Sequence, residues 1–308
     1  MAAPSKAPLA RTADSVEGVV DVYRCGAEGP AGLLLEVPHG ATERTHYDAV
    51  AARLESPLPA GLEQFFHVNT DFGAPELALR VAALVTGAPR KARTRGVVVI
   101  RALVPRTFID FNREIGETAP EGMTPGLPPY ITAAADRELL SSLYQQYHAA
   151  VSRAYREVCD GGGMAVAVHT YAPRSVDVAV DAEIVAALRA AYRPAVYPTW
   201  KLRPAVDCIT RDAGGRDLSP PGLVAALRAA YMELGLDSGD NATYHLHPAT
   251  MGYRFAVTYP GQVLGVEYRR DLLGAPWKPF SPSAVGPRKV ARLAAPLAAL
   301  LSRAIAAR

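Results

Sequence analysis

The chain has 308 residues, of which 49% are hydrophobic and 20% are charged, and its formal net charge is +3. This composition excludes a disordered chain and indicates a globular protein, and an α/β fold of this length commonly keeps one sheet. Acidic and basic residues are interleaved along the chain, so no nucleic-acid footprint is indicated, whereas a small anionic substrate is compatible with the charge.

Short apolar runs alternate with segments of helical periodicity along the whole chain. The runs are bounded by Gly or Pro and are expected to be buried strands, at residues 32–37, 96–100, 164–168, 205–209 and 263–267. Helices are expected at residues 74–85, 132–159, 181–191, 220–234 and 284–307. This alternation predicts a three-layer α/β/α sandwich with a mixed, mostly parallel sheet. Residues 116–129 and 200–221 are expected to be long loops, which could lie over an active site.

The sequence gives no sign of membrane insertion or secretion. No apolar run approaches the roughly 18 residues of a transmembrane helix, and the N-terminus has no apolar signal region. We therefore expect a cytoplasmic protein with a disordered tail at residues 1–15 and a single domain at residues 16–308. The cysteines, Cys25, Cys159 and Cys208, follow no metal-binding or disulfide spacing and are expected to be buried thiols. The oligomeric state is left open.

Two histidines directly follow predicted strands. His39 comes after the first strand and His169 after the third. Ligands of open α/β sheets bind beyond the carboxyl ends of the strands, and neutral imidazoles at such an edge are common zinc ligands. Either histidine alone is more often a capping or hydrogen-bonding residue, but the pair predicts a divalent metal site.

A third metal ligand would normally be a carboxylate, and two residues are candidates. Glu43 lies four residues after His39, which is one residue longer than the HxxE spacing of zinc carboxypeptidases. Asp71 lies just before the predicted helix at residues 74–85. The spacing leaves both candidates open.

Glu267 ends the last predicted strand, in the place that a general base would need. A bound metal lowers the pKa of water toward ~7, and a nearby carboxylate can take the proton of that water and pass it to a leaving amine. Glu267 is therefore the candidate acid/base.

A polar cluster spans residues 106–113. Asp110 and Asn112 alternate with apolar residues, so a strand would turn both to one side and place Arg113 at its end. An arginine fork there could bind a substrate carboxylate through two hydrogen bonds. An internal salt bridge and a turn-anchoring amide explain the same residues equally well.

Taken together, these segments resemble the N-formylglutamate amidohydrolase family, zinc-dependent relatives of the carboxypeptidase and aspartoacylase folds. The resemblance covers roughly residues 30 to 275. The matching segments occur in the same order as in the family, and together they are more specific than any one segment. The matching segments are Glu36-Val37-Pro38-His39-Gly40, Asn69-Thr70-Asp71, Arg106 to Arg113, Tyr147-His148, His169-Thr170-Tyr171-Ala172-Pro173 and Val266-Glu267-Tyr268-Arg269.

The resemblance implies a zinc-carboxypeptidase-like fold and hydrolysis of the amide bond of a small N-acyl amino acid or short peptide by metal-activated water. It implies one Zn²⁺ per chain, held by His39 and His169 with Asp71 or Glu43, and Glu267 as acid/base. The residues expected to bind substrate are Arg106, Asn112, Arg113, Tyr171 and Arg269.

Two other functions were weighed against the hydrolase. Members of the family usually carry an acidic residue two positions before the second histidine, where this chain has Ala167. This departure favours the alternative of a non-catalytic anion-binding protein that kept the fold and lost the metal. A serine esterase is disfavoured because the chain contains no GxSxG motif.

Overall fold

A computed structural model describes residues 10–26, 29–87, 95–116 and 123–307 of the chain. Within these residues, eight strands form one sheet in the order β1-β2-β4-β3-β5-β8-β6-β7. The strands are β1 (Ala10–Arg11), β2 (Val20–Cys25), β3 (Ala31–Val37), β4 (Gly96–Ala102), β5 (Met164–Tyr171), β6 (Val206–Ile209), β7 (Ser238–Asp240) and β8 (Val263–Arg269).

The sheet is mixed, and four of its seven strand pairings are parallel. The parallel strands β3 and β5 are buried along their whole length because helices cover both faces, which explains why their sequences are almost continuously apolar. β2 runs antiparallel to both of its neighbours, β1 and β4, and β6 runs antiparallel to β8.

Helices pack on both faces of the sheet and divide the apolar side chains into two cores. One core lies under α4, and the other lies under α3, α6 and α8. The helices are α1 (Arg44–Ala51), α2 (Leu62–Asn69), α3 (Ala74–Thr86), α4 (Ala134–Tyr155), α5 (Ile184–Ala191), α6 (Leu223–Glu233), α7 (Met251–Thr258) and α8 (Pro287–Ala306). A short π-helical turn, Arg156–Asp160, continues α4. The predicted α/β class and mixed sheet are confirmed.

Several short elements were not predicted: β1, β2, β7, α1, α2 and α7. The strand β2 has the sequence VDVYRC, in which polar residues on the exposed side leave no continuous apolar run. The run Phe65 to Val68 is part of α2, where its buried residues follow helical spacing. Elements of this kind are fixed by what they pack against, and that information is absent from a local pattern.

The predicted disordered tail extends too far. Ala10–Arg11 pairs with β2, and the backbone N–H of Thr12 donates to the carbonyl of Val22, so this part of the segment is held against the sheet. Residues 1–9 of that prediction lie outside the described residues. None of the helices in the described ranges has the length and apolar character needed to cross a bilayer.

Candidate metal centre

Three ligand-type side chains meet at the carboxyl ends of the central strands. His39 follows β3, His169 lies in β5 and Asp71 lies between α2 and α3. The Oδ2 atom of Asp71 is 3.3 Å from Nδ1 of His39 and 2.9 Å from Nδ1 of His169. Their exposed fractions are only 4% for His39, 1% for Asp71 and 8% for His169. Within the described part of the chain, this is the one group of three or more such residues whose ligand atoms approach one another closely enough to hold an ion.

The geometry of this group fits a zinc ion. Tetrahedral zinc with ligand bonds near 2.0–2.2 Å places its donor atoms roughly 3.3 Å apart, and two imidazoles with one carboxylate are a donor set of catalytic zinc sites. The Nε2 atom of His39 lies 2.7 Å from Oδ1 of Asp110. Because a carboxylate only accepts, Nε2 donates this hydrogen bond, and in the neutral imidazole Nδ1 then carries the lone pair that an ion would take in place of a second proton.

Asp71 is fixed from several sides. The backbone N–H of Thr170 donates to Oδ2 of Asp71, while the guanidinium groups of Arg270 and Arg106 lie 3.8 and 3.9 Å from its Oδ1. Burial alone would raise the pKa of Asp71, but the charge of His39 and the hydrogen bond from His169 hold it below its ordinary value. Asp71 is therefore a carboxylate when the cluster forms.

Glu43, the other candidate for the third ligand, lies outside the cluster. It is the N-cap residue of α1, its carboxylate is largely exposed, and it forms an ion pair with Arg101 at 3.0 Å. The chain is not helical between His39 and Glu43, so the four-residue spacing does not bring Glu43 back to the cluster.

Glu267 lies beside His169, because the two residues are register partners on the parallel strands β5 and β8. Its carboxylate lines the cavity in front of the cluster, and its buried Oε2 atom has no hydrogen-bond partner. Burial raises the pKa of Glu267, while His169 opposes the shift. A carboxyl group without a fixed partner and with a raised pKa is suited to take up and release protons.

The segment Arg106 to Arg113 is not a strand; it forms turns beside the cluster. Its carboxylate, Asp110, binds His39 on one oxygen and accepts from Arg106 at 2.8 Å on the other. Burial would raise the pKa of Asp110, but Arg106 and His39 hold it well below the ordinary value. The internal salt bridge weighed above is thus present, and Arg106 is engaged in it.

Arg113 and Asn112 have different surroundings. The Oδ1 atom of Asn112 accepts from the backbone N–H of Gly252 at 3.1 Å, which fastens the segment to α7. Arg113 lines the cavity, donates only to the carbonyl of Asn112, and has a buried Nε without a partner. Among the described residues no carboxylate lies within ion-pair distance of its guanidinium, although the charge of Asp110 acts on it, so it remains able to bind an anion.

The two remaining residues predicted to bind substrate lie in different places. The ring of Tyr171 lines the cavity, and the guanidinium of Arg203 lies 5.0 Å from its centroid. Arg269 is not in the cavity wall; it pairs with Asp271 at 2.9 Å and donates to the carbonyl of Arg203. Because this guanidinium is already engaged in an ion pair, its contacts lend no support to Arg269 as a substrate-binding residue, which stays a prediction.

A buried carboxylate lies beside Ala167 on the neighbouring strand. Glu36 of β3 is the register partner of Ala167 and thus lies on the same face of the sheet as His169. Its two oxygens each accept a hydrogen bond of 2.9 Å, from the hydroxyls of Tyr147 and Tyr155. Burial raises the pKa of Glu36. Sequence reasoning missed this buried carboxylate, although a lone acidic residue within an apolar strand was a usable signal.

A cavity of about 690 Å³ opens in front of these residues. Parts of both predicted long loops line it, among them Pro125, Pro128 and Arg203. His245 and His247 lie in its wall but do not belong to the cluster. His148 packs in α4 against Tyr144, and burial lowers its pKa to about 4. The cavity thus brings together the candidate metal centre, the carboxylate of Glu267 and the guanidinium of Arg113.

Comparison with known proteins identifies the family of the chain and proteins of similar fold. The profile of the N-formylglutamate amidohydrolase family matches residues 31–273. The N-formylglutamate amidohydrolase of Ralstonia eutropha has a similar fold, with a TM-score of 0.57, 18% identity, and coverage of 92% of this chain and 96% of that one. A gene product of Agrobacterium tumefaciens is similar with a TM-score of 0.54, 18% identity, and coverage of 94% and 95%. No curated protein gave a significant match. Because the family profile spans well over half of the sequence, the chain belongs to the N-formylglutamate amidohydrolase family.

Proposed function

We propose that the protein is a zinc-dependent hydrolase that cleaves the amide bond of a small N-acyl amino acid or short peptide. The observation that carries the proposal is the convergence of His39, Asp71 and His169 beside the unpaired carboxylate of Glu267. Family membership supports amide hydrolysis, and the donor set of the three residues supports zinc.

In this proposal the side chains of the cavity have separate roles. His39, Asp71 and His169 would hold a zinc ion, which when bound would supply polarisation of the substrate carbonyl and a pKa of water lowered toward ~7. Glu267 takes a proton from the attacking water and returns it to the nitrogen of the leaving amine. Arg106, held near His39 by Asp110, stabilises the negative charge that develops on the carbonyl oxygen.

Arg113 orients the substrate. The guanidinium has no carboxylate partner among the described residues, and burial lowers its pKa, so an anion that pairs with it relieves an unfavourable desolvation. A carboxylate of the substrate matches its planar fork. The substrate class that follows is a small anionic N-acyl amino acid.

A non-catalytic anion-binding protein is the second candidate. Ala167 favours it, and so do the hydrogen bonds that already join Asp71 to both histidines. The two candidate functions differ in the metal content that they require, because only the hydrolase needs about one equivalent of zinc per chain.

The test is elemental analysis of the protein purified without chelator, in parallel with a His39→Ala/His169→Ala double variant. The matched control is a His245→Ala/His247→Ala double variant, which removes two histidines of the same cavity that lie outside the cluster. We expect about one zinc per chain in the wild type and the control and none in the first variant. The two zinc-containing proteins should then release amine from N-formyl and N-acyl amino acids. Absence of metal from all three proteins after reconstitution would contradict the hydrolase and favour the binding protein.

A further inference from the structure

Arg203 lies in the cavity wall close to the metal cluster. Its guanidinium is 5.0 Å from the ring centroid of Tyr171. Tyr171 and His169 are two positions apart on β5, so their side chains lie on the same face of the sheet, roughly 7 Å apart along the strand. The ring of Tyr171 is fixed, because its hydroxyl donates to the carbonyl of Pro204 at 2.6 Å. The charged group of Arg203 is therefore held near the proposed zinc ligand His169, in the wall of the same cavity.

Neutral groups orient the guanidinium of Arg203. Its Nε donates to Oγ of Ser175 at 3.0 Å, its Nη2 to the hydroxyl of Tyr244 at 2.8 Å and its Nη1 to the carbonyl of Ala172 at 3.5 Å. A guanidinium has five N–H groups, so one N–H remains on each of the two terminal nitrogens. A carboxylate can bridge these two N–H groups with parallel hydrogen bonds. Arg203 thus presents an oriented fork whose charge is not neutralised by its hydrogen-bond partners.

One segment of the chain connects Arg203 with Arg113. At the start of this segment, the ring centroid of Tyr244 lies 5.3 Å from the guanidinium of Arg203, and the hydroxyl accepts from it. At the end of the segment, the backbone N–H of Gly252 donates to the side chain of Asn112, the neighbour of Arg113. Both arginines and Tyr244 line the cavity, so the two guanidinium groups lie along one side of it.

The electrostatics place both arginines near Glu267. Burial lowers the pKa of Arg113, and the charges of Asp110 and Glu267 are among those that oppose this shift. Burial raises the pKa of Glu267, and the charges of His169 and Arg203 are among those that oppose it. Because such effects fall with distance, both guanidinium groups lie on the side of the cavity that holds the proposed acid/base.

Three other basic groups of the wall are engaged or uncharged. Arg106 is paired with a buried carboxylate at 2.8 Å. Arg174 lies over the ring of Tyr197, 5.8 Å from its centroid. The Nδ1 atom of His247 accepts from a backbone N–H, and burial lowers the pKa of His247, which favours the neutral imidazole. None of the three offers an anion the free fork that Arg203 presents.

We propose that Arg203 is a specificity-determining residue, whose fork binds a carboxylate on the side chain of the substrate while Arg113 binds the α-carboxylate. This inference rests on the proposed hydrolase and assigns a residue to its choice of substrate. A charge-assisted pair of hydrogen bonds favours an acidic side chain over its neutral amide by roughly 10- to 100-fold. Because the fork is oriented before the substrate arrives, binding costs little side-chain entropy.

The first experiment measures kcat/KM of the zinc-loaded enzyme for N-formyl-L-glutamate and N-formyl-L-glutamine. These compounds have side chains of nearly equal size and differ in charge. We expect the wild type to prefer the glutamate compound at least tenfold. Arg203→Met keeps an unbranched chain between the two tyrosine rings, and it should lower kcat/KM for the glutamate compound at least tenfold. Its kcat/KM for the glutamine compound should change by less than about threefold, which also shows that the variant is folded.

Two further variants separate specificity from a structural role. Arg174→Met is the matched control, because it removes a guanidinium from the same wall, and it should keep the preference for the glutamate compound. Arg203→Lys keeps the charge without the planar fork, so it should retain only part of the preference.

Calorimetry of free L-glutamate and L-glutamine needs no turnover. The wild type should bind L-glutamate at least tenfold more tightly than L-glutamine, and Arg203→Met should bind the two amino acids with similar affinity.

The outcomes distinguish this inference from the proposed hydrolase. Hydrolysis with no preference for the glutamate compound, or with a preference that survives in Arg203→Met, overturns the role of Arg203 and leaves the hydrolase intact. An equal loss of activity on both compounds in Arg203→Met shows a structural role and also overturns the inference. Tighter binding of L-glutamate that is lost in Arg203→Met, without hydrolysis of either compound by the wild type, overturns the hydrolase and supports Arg203 as a carboxylate-binding residue.

Discussion

Replacing Asp110 should weaken zinc binding although Asp110 is not itself a proposed ligand. Its carboxylate accepts the Nε2–H of His39 at 2.7 Å and so fixes the ring with Nδ1 toward the cluster. Loss of such a partner typically costs 10- to 100-fold in metal affinity, which corresponds to about 1.4 to 2.8 kcal/mol. Asp110→Ala should reach the upper part of this range, because Arg106 also loses its ion pair at 2.8 Å and its charge then repels the ion. Asp110→Asn keeps an acceptor and should fall in the lower part.

The assay is competition for zinc against a fluorescent chelator at pH 7. Asp136→Asn is the matched control, because Asp136 is equally buried but accepts from the backbone N–H groups of Glu55 and Ser56, away from the cluster. The control should lose stability and keep its zinc affinity. If Asp110→Ala binds zinc as tightly as the wild type, Asp110 does not orient the ring of His39 for a metal, and the inference that its hydrogen bond to Nε2 leaves Nδ1 for the ion is wrong.

Three other changes test the remaining parts of the site. Glu267→Gln should lower kcat by roughly 10² to 10⁴ with zinc content unchanged, and a variant of near-normal kcat would remove Glu267 as the acid/base. Arg113→Met should raise KM by roughly 10- to 100-fold with little change in kcat. The reason is that a charge-assisted hydrogen bond to the substrate carboxylate is lost in the ground state and the transition state alike. Steady-state kinetics distinguish this result from an effect on kcat alone. Burial raises the pKa of Glu36. The protonated carboxyl of Glu36 therefore contributes to the free energy of unfolding at low pH, and this contribution is lost as the pH rises through the raised pKa. In urea unfolding of the metal-free proteins, Glu36→Gln should therefore match the wild type near pH 4 and become relatively more stable toward pH 8, and a difference independent of pH would contradict this.

The central strands could be predicted from the sequence, and so could the gathering of site residues at their carboxyl ends. β3, β5 and β8 each begin with a nearly continuous apolar run, which marks them clearly. A parallel arrangement brings their carboxyl ends together, so His39, His169 and Glu267 were expected in one place. The choice between Glu43 and Asp71 could not be made, because it depends on the path of the chain after β3.

The polar groups that support the site were harder to predict. Glu36 accepts hydrogen bonds from Tyr147 and Tyr155, which lie 111 and 119 residues further along the chain. No local sequence pattern encodes such a pairing. Alternation of polar and apolar residues from Arg106 to Arg113 suggested a strand, but the hydrogen bonds of Asp110 and Asn112 are made to side chains and to α7, which leaves the segment in turns.

The three proposed ligands are far apart in the sequence: 32 residues separate His39 from Asp71, and 98 separate Asp71 from His169. No short fragment of the chain can present all three, so tight zinc binding requires the sheet to be assembled. Zinc would then act as a ligand of the native state alone, and each tenfold increase of free zinc above its dissociation constant would add about 1.4 kcal/mol to the free energy of unfolding. The supply of zinc would thereby set how long the protein survives as well as how fast it turns over.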